Sequence, residues 1–196
     1  IWQEDHPVRA CSAALEMMEK LKDLQTGWKE RGIPKIDIGI GISTGKLTVG
    51  NMGSTTRFDY TVMGDSVNLG SRLEGLNKEY GTHVIVPKYT HEDVKDRFIM
   101  RQLDLIRVKG KMVPIHIYEL MGSADTGRLR EAAGLSDAGF QAYLRKDWDK
   151  AESSFKKTLE ILPNDGPATT FLKRIAALRE QGVPADWDGV FVMTKK

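Results

Sequence analysis

The sequence predicts an α/β fold, an α+β sandwich of one sheet layer and one helical layer, followed by an all-helical extension. Three observations carry this. Apolar residues repeat with period two in some stretches and at helical spacing in others up to Leu120, the pattern of mixed layers. Beyond Leu120 only helical spacing remains. The chain has 196 residues, 40% hydrophobic and 29% charged, enough for one to two domains.

The elements follow in order. "HPVRACSAALEMMEKLKDL" sets Val8, Cys11, Leu15, Met18 and Leu21 at spacings of three and four, one apolar helical stripe with Pro7 suited to the first turn. "RGIP" breaks it. "KIDIGIGIS" alternates Ile36, Ile38, Ile40 and Ile42 with Asp37, Gly39, Gly41 and Ser43, a strand with one nearly bare face. "STGK" turns, and "LTVGNMGS" is the expected returning strand of a hairpin. "TRFDYTVMG" is a third strand. A helix runs from about Asp65 to Tyr80, with Asp65 as N-cap, Leu69, Leu73, Leu76 and Tyr80 as its buried stripe, and Gly81 as its stop. "THVIVP" is a short strand and "YTHEDVKDRF" a short helix. "FIMRQLDLIRVKGKMVPIHIYEL" reads as two strands joined through Lys109-Gly110-Lys111. This order predicts a sheet with helices on one side.

Composition changes near residue 122, so residues 1–122 are expected to form one unit and 123–196 a helical tail. In the tail Phe140, Tyr143, Leu144, Ala151, Phe155 and Leu159 fall on helical stripes, Trp148 lies between two runs, and Pro163 closes the second. A third run holds Phe171, Ile175 and Leu178 in phase. "AESSF" and the following Pro resemble one tetratricopeptide unit; a plain helical hairpin packed on the first unit is the alternative.

Several functions are excluded. The net charge of +2, from 29 basic and 27 acidic residues, supplies no field for nucleic acid or an anionic membrane. A single cysteine, Cys11, cannot form an intramolecular disulfide and fits a reducing, cytoplasmic setting. No apolar run approaches the roughly 20 residues that cross a bilayer. The opening "IWQEDHPVRA" lacks an initiator Met, so a longer parent, whose membrane anchoring stays open, is expected. There is no phosphate-loop signature and no G-x-S-x-G elbow, and "GIGISTG" has the wrong glycine spacing for a dinucleotide turn. His6, His83, His91 and His116 show no zinc-ligand spacing. Asp59 and Asp65 are better read as a strand residue and a helix cap than as a metal pair, so no metal ligand is assigned.

Asn68 and Arg72 remain. One helical turn apart, they lie about 6 Å from each other along one face, each one position before a buried leucine. They are either a solvated margin or two donors aimed at an anion, an amide and a planar guanidinium fork. Lys109 and Lys111 would add positive charge if their turn folds nearby.

"GIGISTGKLTVGNMGSTTRFDYTVMGDSVNLGSRLEGLNKEYG", followed by "RVKGKMVPIHIYEL", resembles the catalytic domain of class III nucleotidyl cyclases, bacterial adenylate cyclases in particular, over about His6 to Leu120. The resemblance implies a ferredoxin-like cyclase fold, partial in this chain, acting as a homodimer with active sites at the subunit interface. It implies that ATP is converted to cyclic AMP and pyrophosphate in intracellular signalling, with two Mg²⁺ or Mn²⁺ ions on the phosphates. Asn68 falls on the family's ribose- and phosphate-orienting Asn and Arg72 on its transition-state Arg. Lys111, or less directly Lys109, falls on a phosphate-binding Lys. Thr61 falls on the base-reading position and favours ATP. The family's two metal aspartates and its base-reading Lys belong upstream of "HPVRACSAALEM", so this piece alone is expected to be inactive. Two other readings stay open: a guanylate cyclase, and a catalytically degenerate relative that dimerises or binds nucleotide while its tail docks a protein partner.

Overall fold

The computed structural model describes residues 3–54, 56–107, 113–123 and 127–192. In it α1 (His6–Glu30) leads to β1 (Ile40–Gly41), β2 (Thr48–Gly53) and β3 (Phe58–Met63). Then come α2 (Asp65–Tyr80), β4 (Val84–Pro87), α3 (Lys88–Val94), β5 (Phe98–Arg107) and β6 (Ile115–Ser123). The tail holds α4 (Gly127–Leu144), α5 (Trp148–Ile161), α6 (Gly166–Gln181) and β7 (Phe191–Val192). The mixed α/β fold with a helical extension is therefore as the sequence predicts, with one correction: the extension is not all helical, because β7 of the tail pairs with β5 and adds a strand to the sheet.

Five strands form one sheet in the order β1-β4-β6-β5-β7, and β2 and β3 form a separate antiparallel ribbon. This corrects the strand pairing expected from sequence. β1 does not hairpin with β2; it lies parallel to β4 through Ile40–Val84 and Gly41–Ile85, while the hairpin is β2–β3, with Gly50 opposite Thr61. The alternating isoleucines fixed the strand type but not its partner. β1 also spans only two residues.

Helices cover both faces of the sheet rather than one. Successive strand residues point to opposite sides, and all four residues of β4 are buried. Val84 packs with Cys11 and Ala14 of α1, whereas the next residue, Ile85, packs with Leu69, Leu73, Leu76 and Tyr80 of α2. Leu103, Ile106 and Ile117 complete the α2 side of the core.

The tail has its own core of Phe140, Tyr143, Ala151, Phe155, Phe171 and Ile175, which Leu105 of β5 joins. Trp148, expected between helices, opens α5. Two buried ion-pair groups join tail to sheet. Arg101 Nη2 lies 2.6 Å from both Glu119 Oε2 and Asp165 Oδ2. Arg174 Nη1 donates to Asp104 Oδ2 at 2.6 Å. The Gln102 backbone N–H donates to Asp137 of α4 at 2.7 Å. Burial pushes the Asp137 carboxyl up to about 6 against the lowering effect of that bond. None of the described helices is long and apolar enough to cross a membrane.

Candidate active site

The site is built on α2. The helix begins where β3 ends, through Gly64. Gly64, not Asp65, holds the cap position, a correction to the sequence reading; Asp65 is the first helical residue, where its negative charge suits the positive end of the helix dipole. Gly81 ends the helix with φ +67°, a conformation that glycine adopts without a Cβ penalty.

Close backbone contact fixes α2 against the sheet. A Cβ on Gly41 would lie 2.0 Å from the Gly70 carbonyl oxygen and 2.6 Å from the Glu74 nitrogen, so only a bare strand admits the helix this near. This is the physical use of the bare face in "GIGIS". Asn77, almost fully buried, locks the contact: its Nδ2 donates to the carbonyls of Ile40, at 3.1 Å, and of Glu74, at 3.0 Å, and its Oδ1 accepts from Thr82 Oγ1. The loop after β1 is pinned on α3, where Ser43 and Tyr89 hydroxyls lie 2.7 Å apart and the Thr44 N–H donates to Thr90 Oγ1 at 2.9 Å.

On this fixed helix Leu69 and Leu73 are buried, while Asn68 is exposed and Arg72 partly exposed. The two side chains share the helix margin one turn apart, as their spacing predicts, and among the described residues neither forms a side-chain hydrogen bond or ion pair. Thr61 is exposed on β3, in the ribbon that stands apart from the main sheet and enters α2 through Gly64. The structure thus brings Asn68 and Arg72 onto one face and sets Thr61 on the preceding strand. Lys109 and Lys111 lie outside the described residues. Asp59 sits on β3 opposite Met52, and the described residues contain no group of three or more His, Cys, Asp or Glu side chains able to hold a metal ion.

Sequence reading missed the supports. Asn77 and Asp104 were legible as polar residues inside apolar runs, "LEGLNKEY" and "LDLI". Their partners were not, because Ile40 and Arg174 lie far off in the chain. Tyr80 was expected only as an apolar contact; its hydroxyl also donates to Asp104 Oδ2 at 2.5 Å. Burial, first, and the neighbouring Asp104 carboxylate push that phenol well above its ordinary value.

Residues 2–122 match the family described as "Adenylate and Guanylate cyclase catalytic domain". The chain is 38% identical over 117 residues to Adenylate cyclase 1 of Rhizobium meliloti, covering 60% of this chain and 18% of that protein. It is 33% identical over 174 residues to "Adenylate cyclase, terminal-differentiation specific" of Dictyostelium discoideum, covering 85% of this chain and 8% of that protein. Coverage of 85% reaches past residue 122, so the second similarity takes in part of the helical tail. Among solved structures, the adenylyl cyclase CyaB from P. aeruginosa superposes with a TM-score of 0.55 at 36% identity, over 62% of each chain. The chain spans less than a quarter of the length of either curated relative. With a match extending over well more than half its residues, the chain belongs to the family of adenylate and guanylate cyclase catalytic domains.

Proposed function

We propose that the polypeptide carrying this chain converts ATP to 3′,5′-cyclic AMP and pyrophosphate, at a site shared between two copies. The observation that carries this reading is the Asn68–Arg72 pair. An amide and a guanidinium stand one turn apart on a helix fixed by backbone contact, within the family-matched region, and among the described residues neither side chain forms a hydrogen bond or ion pair. The relatives named adenylate cyclase support ATP as substrate, as does Thr61.

In the reaction the ribose 3′-oxygen attacks the α-phosphorus, the bond from that phosphorus to the bridging oxygen breaks, pyrophosphate leaves, and the 3′-hydroxyl proton is lost. Arg72 meets the negative charge that grows on the α-phosphate oxygens. Such preorganised donors are typically worth about 3–4 kcal/mol. Asn68 orients the ribose and phosphates, Thr61 hydrogen-bonds the adenine edge, and Lys111, or Lys109, holds the β- and γ-phosphates. Cyclases of this class use divalent metal ions; the described residues do not gather a set that fits them, so we assign Mg²⁺ or Mn²⁺ to carboxylates outside these residues and derive no step through the ions. The exposed apolar face of the ribbon, Phe58, Tyr60 and Val62, suits contact with a second copy.

The test is an assay of the longest native polypeptide for cyclic nucleotide from ATP and from GTP, with Mg²⁺ or Mn²⁺, beside its Arg72→Ala variant. We expect cyclic AMP, a loss of about a hundred- to a thousandfold in the variant, and specific activity that falls on dilution as dimers separate. Cyclic GMP alone would make the protein a guanylate cyclase. Neither product would favour a degenerate, binding-only domain.

A further inference from the structure

The tail meets α2 at its C-terminal end, and the contact is close. A Cβ on Gly166, the first residue of α6, would lie 2.1 Å from the Tyr80 carbonyl oxygen and 2.9 Å from Gly81 Cα. The start of α6 is therefore seated on the end of α2, backbone to backbone. Asp165 fixes that start: its Oδ1 accepts from the Ala168 N–H at 2.8 Å and its Oδ2 pairs with Arg101 of β5. Two turns further along α6, Arg174 reaches the same end of α2. Its Nη1 donates to Asp104 Oδ2, the oxygen that the Tyr80 hydroxyl also engages, and its Nη2 lies 3.4 Å from that hydroxyl. Asp104 and Tyr80 are 0% and 1% exposed. The Leu105 N–H holds the other Asp104 oxygen at 2.8 Å. The Arg174 guanidinium also lies 4.6 Å from the Phe191 ring centre and 5.0 Å from that of Phe171, so aromatic rings of the tail restrict its position.

We propose that Arg174 is a positioning residue for the cyclase site, acting through Tyr80 and α2 on Arg72; this rests on the proposed function above. The physical argument concerns what holds α2. Its middle is pressed on β1, a two-residue strand at the sheet edge, and its leucine stripe packs on Ile85, Leu103 and Ile117 through apolar contacts, which carry no direction of their own and leave the helix room to shift. Asp104 belongs instead to the ten-residue β5, paired on both sides. Arg174, its side chain 21% exposed, closes the Tyr80–Asp104 bond into a three-membered, charge-assisted group whose other two members are buried. Tyr80 is eight residues beyond Arg72, about 12 Å along one rigid rod. Release of that end lets the rod tilt or turn, which carries the Arg72 guanidinium off the α-phosphate. Misplacement of a catalytic group by about 1 Å costs on the order of a hundredfold in rate. The tail is then a working part of the catalytic unit and not a separate appendage.

The experiment is a double-mutant cycle in the longest native polypeptide, with Arg174→Met and Arg72→Ala singly and together. Met keeps much of the packing volume of the Arg stem and removes the charge. We expect Arg174→Met to lower kcat about ten- to a hundredfold with little change in KM for ATP, and to lower it by no more than about threefold when Arg72 is already Ala, because coupled residues are not additive. Arg174→Lys, which can still pair with Asp104, should recover part of the rate. A folded Arg174→Met protein with unchanged kcat would overturn the proposal. So would an equal loss in both backgrounds, the mark of a merely structural role. If Arg174→Met does not fold, Tyr80→Phe decides: it deletes one oxygen, and the same selective, background-dependent fall in kcat supports the proposal while unchanged kcat refutes it. An Arg72→Ala protein of full activity would instead sink the proposed function.

Discussion

The side-chain amide of Asn77 donates to the Ile40 carbonyl at 3.1 Å, joining the last turn of α2 to β1 across 37 residues of sequence. The same nitrogen also serves the carbonyls of Leu73 and Glu74, and the amide oxygen accepts from Thr82. Asn77→Ala should therefore destabilise the protein by about 1–3 kcal/mol, the cost of leaving buried polar groups unpaired. Asn77→Asp should cost more, because a carboxylate would face carbonyl oxygens. Denaturant unfolding of both variants checks the order; equal stability to wild type would show that the amide is dispensable.

Two glycines of this region should respond oppositely to alanine. Gly41 has backbone atoms of α2 where a Cβ would stand, so Gly41→Ala should cost about 1–3 kcal/mol through overpacking and reduce activity by displacing the helix. Gly75, on the outer face of α2, has nothing within 4 Å of a Cβ. There Gly75→Ala should stabilise by about 0.5–1 kcal/mol through helix propensity. Thermal melts of the pair distinguish steric from propensity effects.

Thr61 is exposed and pairs with Gly50 through backbone alone, so its replacement should leave the fold intact. Thr61→Ala should lower kcat/KM for ATP about tenfold, the loss of one hydrogen bond to the base. Thr61→Cys should raise the ratio of GTP to ATP use. Parallel steady-state kinetics with both nucleotides measure this, and an unchanged ratio in both variants would remove Thr61 from base reading.

Asp137 gives the fold a pH signature. Its folded pKa is pushed up to about 6 by burial, from an ordinary value near 3.8. The folded state therefore binds the proton more tightly, and this residue's contribution makes stability fall as pH rises from about 4 to about 6. Asp137→Asn keeps an oxygen for the Gln102 N–H and removes the titration. It should flatten that slope and gain at most about 3 kcal/mol at pH 7. Denaturation midpoints between pH 4 and pH 7 test the sign.

Cys11 is fully buried, and burial pushes its thiol up to about 11. A thiol-specific disulfide reagent should label it at a rate set by unfolding, not by reagent concentration, and at once in denaturant. Rapid labelling of the native protein would mean that α1 detaches readily.

Local rules read the elements well. The leucine stripe of α2, the Gly81 stop and the three tail helices follow from spacing, because helix and strand periods are written in neighbouring residues. The pairing of β1 with β4 was misread, since β1–β2 pairing and β2–β3 pairing fit the same alternation and only a global fold chooses. Tyr80, Asp104 and Arg174 were invisible as a group for the same reason: the outer members lie 94 residues apart. Asn68 and Arg72 stand out because their spacing sets them beside buried leucines, a relation internal to one helix. The roles proposed for them rest on the family resemblance.

The β2–β3 ribbon carries a thermodynamic consequence. Two-stranded hairpins are marginal in water by themselves, and here all six residues of β3 are exposed. Its backbone amides should exchange with solvent far sooner than those of β4, which lie between two neighbours under helices on both faces. Any molecule or second subunit that settles on the ribbon must take up the entropy that ordering removes, so binding there should slow exchange more than anywhere else in the chain. A low-stability ribbon ahead of a rigid helix lets contact with a partner set the geometry of Thr61 while α2 stays fixed.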